Sequence, residues 1–433
     1  MNQKPLSDEA LFKLQRDTFS YFLHETNPQN GLVPDSTRKG AYSSIAATGL
    51  ALAVYPVGVE RNFISRAEAV QRVLTTLRFF WNSPQGCQAN ATGHKGFYYH
   101  FLDMDSGCRA AKCELSTIDS TILIAGALTA ACYFDRQSDQ EQELRKVADD
   151  LYQRMEWPWV LSDTGKVLMA WQPEDGFLPW CWEGYNESIL LHVLALGSPS
   201  HPLPEETYKA FTSTYVWREV YGHELISNDY SGPLFIHQLS HIWIDFRGIQ
   251  DDFVSEKGID YFENSRRATY TQQDYAMRNP HQFRGYGETS WGITASDGPG
   301  PARLIIDGLE RRFFDYEARG VPFGPDDGTL APWAVVASLP FAPEIVLPTL
   351  QYFNEAYPEM TSKYGFKCSF NPTFRVSEGH DKGWISEGYY GLDQGPVVLM
   401  IENYFSELIW SLMKKCSYIA TGLCRAGFKG GWL

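Results

Sequence analysis

A chain of 433 residues is long enough for one large domain or two to three ordinary ones, yet no Ser/Gly tract, Pro-rich run or block of like charge reads as a linker. The formal net charge is −15, with 37 Lys and Arg against 52 Asp and Glu, which argues against a nucleic-acid partner, since such binding draws on cationic neutralisation of phosphates. No apolar stretch reaches the roughly 18 residues of a membrane span, so no membrane partner is expected.

The first residues, MNQKPLSDEALFKLQ, lack a basic start, an apolar core and a small-residue cleavage site. A soluble, cytoplasmic protein is the expectation, and a periplasmic or secreted chain trimmed of its signal would read the same. Helical spacing begins at once, with Leu11, Leu14, Thr18 and Phe22 on one stripe. Ser65 with Glu68 forms a capping-box signature ahead of a helix whose Val70, Val73, Leu74, Leu77 and Phe80 share a face. Further helical segments are predicted near 44–56, 116–134, 139–155, 187–196, 204–217, 232–246, 258–278, 330–338, 343–356 and 397–415, and strand-like alternation is scarce. Turn-rich stretches such as Ser83-Pro84-Gln85-Gly86, Asp297-Gly298-Pro299-Gly300 and Gly324-Pro325-Asp326-Asp327-Gly328 separate them. Twelve helices in six successive pairs predict an all-α fold, an (α/α)6 barrel of helical hairpins forming one domain over 1–433. Growth by repetition escapes the size limit on a single core, because each added unit buries its apolar face on a neighbour. A plain bundle or open solenoid is the competing architecture.

No metal and no cofactor are expected. His237 and His241 stand at i and i+4, but Gln238 occupies the position where a zincin needs Glu, so hydrogen bonds to neighbours or to a sugar hydroxyl are the reading for both. No phosphate loop, dinucleotide fingerprint or serine-hydrolase elbow is present. Eight cysteines without C-x-x-C or zinc spacing read as a reduced, partly buried set.

Carboxylates among aromatics remain. Trp180-Cys181-Trp182-Glu183-Gly184-Tyr185-Asn186-Glu187 leads into an apolar helix. Glu187 is read in that helix's first turn, as a dipole-stabilising charge or as a general acid whose pKa is raised by Glu183 and the surrounding rings. Asp119 opens the helix after Glu114-Leu115-Ser116-Thr117-Ile118, as a cap or pointing into a cleft. Asp393, in a turn before its helix, suits a cap or a catalytic base. In Trp243-Ile244-Asp245-Phe246-Arg247, Arg247 stands ready to neutralise Asp245, as paired structural charges do.

Gly184-Tyr185-Asn186-Glu187, His237-Gln238-Leu239-Ser240-His241 with Trp243-Ile244-Asp245-Phe246-Arg247, Trp291-Gly292-Ile293-Thr294-Ala295-Ser296-Asp297-Gly298-Pro299, Asp327-Gly328-Thr329, and Asp393-Gln394-Gly395-Pro396 with Ile401-Glu402-Asn403 stand in an order that resembles the bacterial "glucoamylase-like" proteins. That group includes glycoside hydrolase family 144, enzymes of β-1,2-glucan breakdown, and the resemblance runs from about Gly31 to Trp410. It implies an (α/α)6 barrel, an anomer-inverting hydrolase without metal, and β-1,2-linked glucan or its oligosaccharides as substrate, with Glu187 matching the general acid. The base stays open between Asp393 and Asp119. Trp180, Trp182, Tyr185, Trp243 and Trp291 flank the acidic motifs and are candidates to stack on sugar rings. His237, His241, Asp245, Arg247, Asp297 and Glu402 complete the candidate substrate-binding set. A transglycosylase of the same fold and a non-catalytic glycan-binding protein are the alternatives, and oligomeric state is not read from the sequence.

Overall fold

A computed structural model describes residues 5–88, 90–227, 232–375 and 382–433. Among the described residues are fifteen α-helices: α1 Asp8–His24, α2 Ile45–Glu60, α3 Arg66–Asn82, α4 Thr117–Tyr133, α5 Asp139–Gln153, α6 Ile189–Gly197, α7 Glu206–Thr212, α8 Leu239–Trp243, α9 Asp252–Lys257, α10 Tyr261–Arg278, α11 Pro332–Ala337, α12 Pro343–Ala356, α13 Gly391–Ser406, α14 Leu408–Lys414 and α15 Ser417–Arg425. None is long and apolar enough to cross a membrane.

Two kinds of helix sort the architecture. α2, α4, α6 and α11 are buried nearly all round, and α13 over most of its length. A helix apolar on every side belongs inside. α1, α3, α5, α10 and α12 bury one stripe and show solvent the other. Contacts among the inner helices close a circuit: α2 packs on α4, α4 on α6, α6 on α8, α11 on α13, and α13 back on α2. The remaining step is made by Gln238, just ahead of α8, whose Nε2 donates to Ala334 O at 2.6 Å and Ser338 Oγ at 2.8 Å beside α11. Outside this ring, α1 lies on α13, α3 on α2, α5 on α4, α15 on α6 and α12 on α11.

Glycines let the inner walls touch. A methyl on Gly126 of α4 would stand 1.8 Å from the carbonyl oxygen of Gly49 in α2, and one on Gly422 of α15 would stand 1.9 Å from Val193 O in α6. Helices meeting this closely leave no room for a side chain between backbones.

The twelve expected helices differ from the observed set at identifiable places. The segment 232–246 breaks after Pro233 into the 3-10 turn Leu234–His237 and the short α8. The segment 397–415 is two helices, divided at Glu407, whose φ of 57° is left-handed. α13 starts earlier than expected, so Asp393 lies in its first turn rather than in the turn before it. The segment 204–217 shortens to α7, and α9 and α15 were not anticipated. The Ser65 cap is present, its Oγ accepting from Glu68 N at 3.2 Å.

Short strands are more numerous than expected. Val216–Val220 pairs with His223–Ser227, and Ala302–Ile306 with Leu309–Phe313. The tight turns Tyr221-Gly222 and Asp307-Gly308 carry positive φ at both residues (53° and 88°, 55° and 76°), which matches the strand twist. A five-stranded antiparallel sheet runs Gly93–His94, Phe97–Tyr99, Leu115–Ser116, Ala170–Gln172, Gly176–Phe177. Its register sets Tyr99 opposite Leu115, and His100 N then donates to Glu114 O at 2.9 Å.

Candidate active site

A cavity of about 470 Å³ opens at the N-terminal ends of the inner helices, and Asp35, Asp119, Glu187 and Asp393 all line it. Each arrives by a different local device. Ser116 caps α4, its Oγ accepting from Asp119 N at 3.2 Å, which leaves the Asp119 side chain free to face the cavity. Asp393 sits in the first turn of α13. Asp35 is drawn to the same helix by Gly391 N, which donates to Asp35 O at 2.8 Å. Glu187 lies in the turn ahead of α6, not in its first turn, and its carbonyl accepts from Ser240 Oγ of α8 at 2.6 Å.

The carboxylates perturb one another. Burial, together with the charge of Asp119, pushes the Glu187 carboxyl up to about 7 against a hydrogen bond from its own backbone. Glu183, expected to supply that charge, instead pairs with Lys166. Burial raises Asp35 to about 6, with Asp119 adding to the shift and His100 and Arg38 opposing it. Asp393 is buried, its Oδ2 has no hydrogen-bond partner among the described residues, and burial beside Asp35 and Asp297 raises its carboxyl well above the ordinary range.

Two cations balance this set. Burial opposes the charge on His100, but Asp119, at 3.7 Å from Nε2, and Glu114, hydrogen-bonded to Nδ1 at 2.8 Å, push it up to about 9. Arg38 donates to Asp297 Oδ2 at 2.7 Å and lies over the Tyr390 ring. The cavity therefore holds proton donors, acceptors and a fixed positive charge within one enclosure, with Tyr316, Trp333, Tyr390 and Phe101 as aromatic surface.

Several residues expected to bind substrate lie elsewhere. Trp243 and Trp291 are fully buried and fill the core. Trp182 is buried with Nε1 donating to Thr117 Oγ1 at 3.0 Å, a brace between the Glu187 loop and α4. Tyr185 packs on the rings of His237 and Tyr261. Trp180 is 64% exposed and is not part of the cavity wall. His237 and His241 are buried and burial pushes both down to about 3, so both are neutral; His241 Nε2 pairs with Ser265 Oγ at 2.8 Å.

Asp245 is held by Arg247 at 2.7 Å and Lys414 at 2.6 Å, and Arg247 lies over Trp410. Glu402 accepts from Arg61 at 2.8 and 2.9 Å and from Gln15 at 2.9 Å. Position beside an acidic motif in sequence did not translate into facing the cavity, because these large rings and paired charges satisfy themselves inside the wall. Asp297 reaches the cavity only indirectly, by holding Arg38. Asp327 has the same wall-building role: it forms a fully buried pair with Arg319 at 2.7 Å, and Arg319 also donates to Ser296 O.

Asp35, Arg38, His100, Tyr316, Trp333 and Tyr390 were not anticipated as site residues. Asp35 ends the Gly31-Leu32-Val33-Pro34-Asp35 segment without any local chemical signature. His100 closes an aromatic run whose register, not its spacing, brings it to Asp119.

Residues 179–417, more than half of the chain, match the Glycoamylase family model, whose description reads "Putative glucoamylase". A Parabacteroides distasonis exo β-1,2-glucooligosaccharide sophorohydrolase (non-reducing end) is 28% identical over 97% of this chain, and the chain spans 58% of that relative's length. Among solved structures, a Bacteroides uniformis protein bearing the family's description superposes with a TM-score of 0.85 at 29% identity over 100% of both chains. An endo-β-1,2-glucanase of Chitinophaga pinensis, solved with sophorotriose and glucose, superposes with a TM-score of 0.82 at 25% identity over 99% of this chain and 100% of its own. On the family match and these full-length likenesses, the chain belongs to the Glycoamylase family.

Proposed function

We propose that the protein is a glycoside hydrolase acting on β-1,2-linked glucan or its oligosaccharides by an anomer-inverting acid/base mechanism, on a single (α/α)6 barrel. The closed circuit of inner helices with outer helices behind it supports the barrel, and the substrates of the relatives support the linkage. The observation that carries the chemistry is a carboxyl, Glu187, held at about 7 in a cavity shared with three further carboxyl groups.

In this reading Glu187 protonates the glycosidic oxygen as the leaving group departs. A second carboxylate accepts a proton from the water that attacks the anomeric carbon from the opposite face. An inverting enzyme separates the two by about 6.5–9.5 Å so that this water fits. Asp393 or Asp119 is the base or organiser of that water. Burial, with Asp35 and Asp297 nearby, favours the protonated form of Asp393; it becomes a base once the proton passes to a neighbour. Asp119 is the other candidate, lining the same cavity with its Oδ2 3.7 Å from His100 Nε2. Arg38, Tyr390 and Tyr316 offer donors and ring faces to the sugar, and Trp333 forms part of the apolar wall.

Incubation with β-1,2-glucan, starch and laminarin, followed by chromatography of the products, tests the assignment. Short β-1,2-linked saccharides from the first substrate alone are expected. Longer or cyclic products would mark transfer to sugar, and binding without any product would leave a glycan-binding protein.

A further inference from the structure

The carboxylate cavity does not end at Arg38. Arg38 also lines a second, polar depression of about 570 Å³, together with Lys39, Asp315, Trp384, Glu387 and the Gly298-Pro299-Gly300 segment. Its size falls within the roughly 300–1,000 Å³ of ligand pockets. Arg38 is thus a post between two compartments, common to the walls of both.

The two compartments are also mechanically joined. Asp297 Oδ2 accepts from Arg38 Nη2 at 2.7 Å and from Ser386 Oγ at 2.7 Å. Ser386 follows the strand Trp384–Ile385, which pairs with Phe370–Asn371. One buried carboxylate therefore fixes both the post and the strand bearing the outer tryptophan. Trp384 is half-buried and lines the depression. Charges of both signs surround it, which suits hydroxyls better than any ion of one sign, and an indole face suits the flat side of a pyranose.

Resting on the hydrolase reading above, we propose that this second depression is a distal subsite that takes further glucosyl units of the same glucan chain, with Trp384 as its stacking platform and Arg38 as the divider from the cleavage cavity. The chain would run from the carboxylates past Arg38 onto Trp384. Substrates long enough to reach the ring gain from it, and the shortest ones do not.

The test compares wild type, Trp384→Ala and Trp384→Phe on sophorotriose and on long β-1,2-glucan, with thermal melting as the check on folding. Binding is measured in the Glu187→Gln background by calorimetry, and kcat/KM in the active enzyme. Trp384→Ala is expected to cost roughly tenfold more on the long glucan than on sophorotriose, the scale of one lost stacking ring, mainly through KM, and Trp384→Phe is expected to recover most of it. An equal loss on both lengths, or no loss on the long glucan, overturns the subsite. If wild type binds long glucan but cleaves none, the hydrolase reading falls while the affinity difference between Glu187→Gln and its Trp384→Ala double variant still decides the subsite. If wild type does not bind the glucan, both fall.

Discussion

At the scale of single residues, Glu187 combines two properties that pull against each other. Its carboxyl stands at about 7 in the folded protein against an ordinary 4.5, because burial and Asp119 disfavour its charge. A general acid must carry its proton, so kcat/KM is expected to fall as pH rises through about 7. Glu187→Gln keeps size but cannot donate as an acid, and should lower turnover roughly 10²–10⁴-fold; a variant retaining more than about a tenth of the wild-type rate would remove the acid role. The same shift has a stability consequence. Below 4.5 the group is protonated whether folded or unfolded, and between 4.5 and about 7 the unfolded chain releases a proton that the fold retains, so the fold is penalised increasingly and fully above about 7. Glu187→Gln should therefore melt above wild type at pH 8 and near it at pH 4. A melting difference that does not grow with pH would show that the carboxyl is not held protonated. Of this chemistry the sequence showed the acids and not their surroundings. Glu187, Asp119 and Asp393 stood out because each precedes or opens an apolar helix, whereas Asp35, Arg38 and His100 reach the cavity through strand register and loop packing that no local pattern encodes.

At the scale of elements, periodicity located helices whether one face or every face is buried: α4, expected over 116–134, runs Thr117–Tyr133, and α6, expected over 187–196, runs Ile189–Gly197. α5, expected over 139–155, runs Asp139–Gln153, and α3 opens directly after its Ser65 cap. α8 was not located as such, because Pro233 and the turn Leu234–His237 interrupt a run that stays buried, polar residues included. The hairpin at Asp307-Gly308 carried a readable turn signal that helical expectation passed over. Glycine in an apolar helix is another underread sign. Gly49 and Gly126 permit α2 and α4 to meet backbone to backbone, and these two helices set Ser44 and Asp119 on the cavity wall. Gly126→Ala would drive a methyl to 1.8 Å from Gly49 O, so the helices must separate. The expected cost is at least the roughly 1–3 kcal/mol of an overpacked core, read as a lower denaturation midpoint. Gly287→Ala, where a methyl meets nothing within 4 Å, serves as the control and should be near neutral. Equal midpoints for the two variants would show that the close approach does not bear on stability.

At the scale of the whole molecule, charge separates this protein from enzymes that gather substrate by long-range attraction. The net charge is −15 and the cavity wall carries four carboxyl groups against Arg38 and His100. A field of that sign repels anions and does nothing for a neutral glucan, whose encounter is left to diffusion and whose retention is left to hydroxyl hydrogen bonds and ring faces. Salt shortens the reach of such a field, from about 30 Å at 0.01 M to about 8 Å at 0.15 M ionic strength. Consequently kcat/KM on unmodified β-1,2-glucan is expected to change by less than about twofold over that range. A carboxymethylated form of the same glucan should be cleaved poorly at low salt and recover as salt is added, because only its encounter is opposed by the field. Measuring both substrates across the same ionic strengths separates the two effects within one enzyme preparation. A steep salt dependence on the neutral glucan would mean that exposed charges, rather than the buried carboxylates and rings of the cavity, govern its capture.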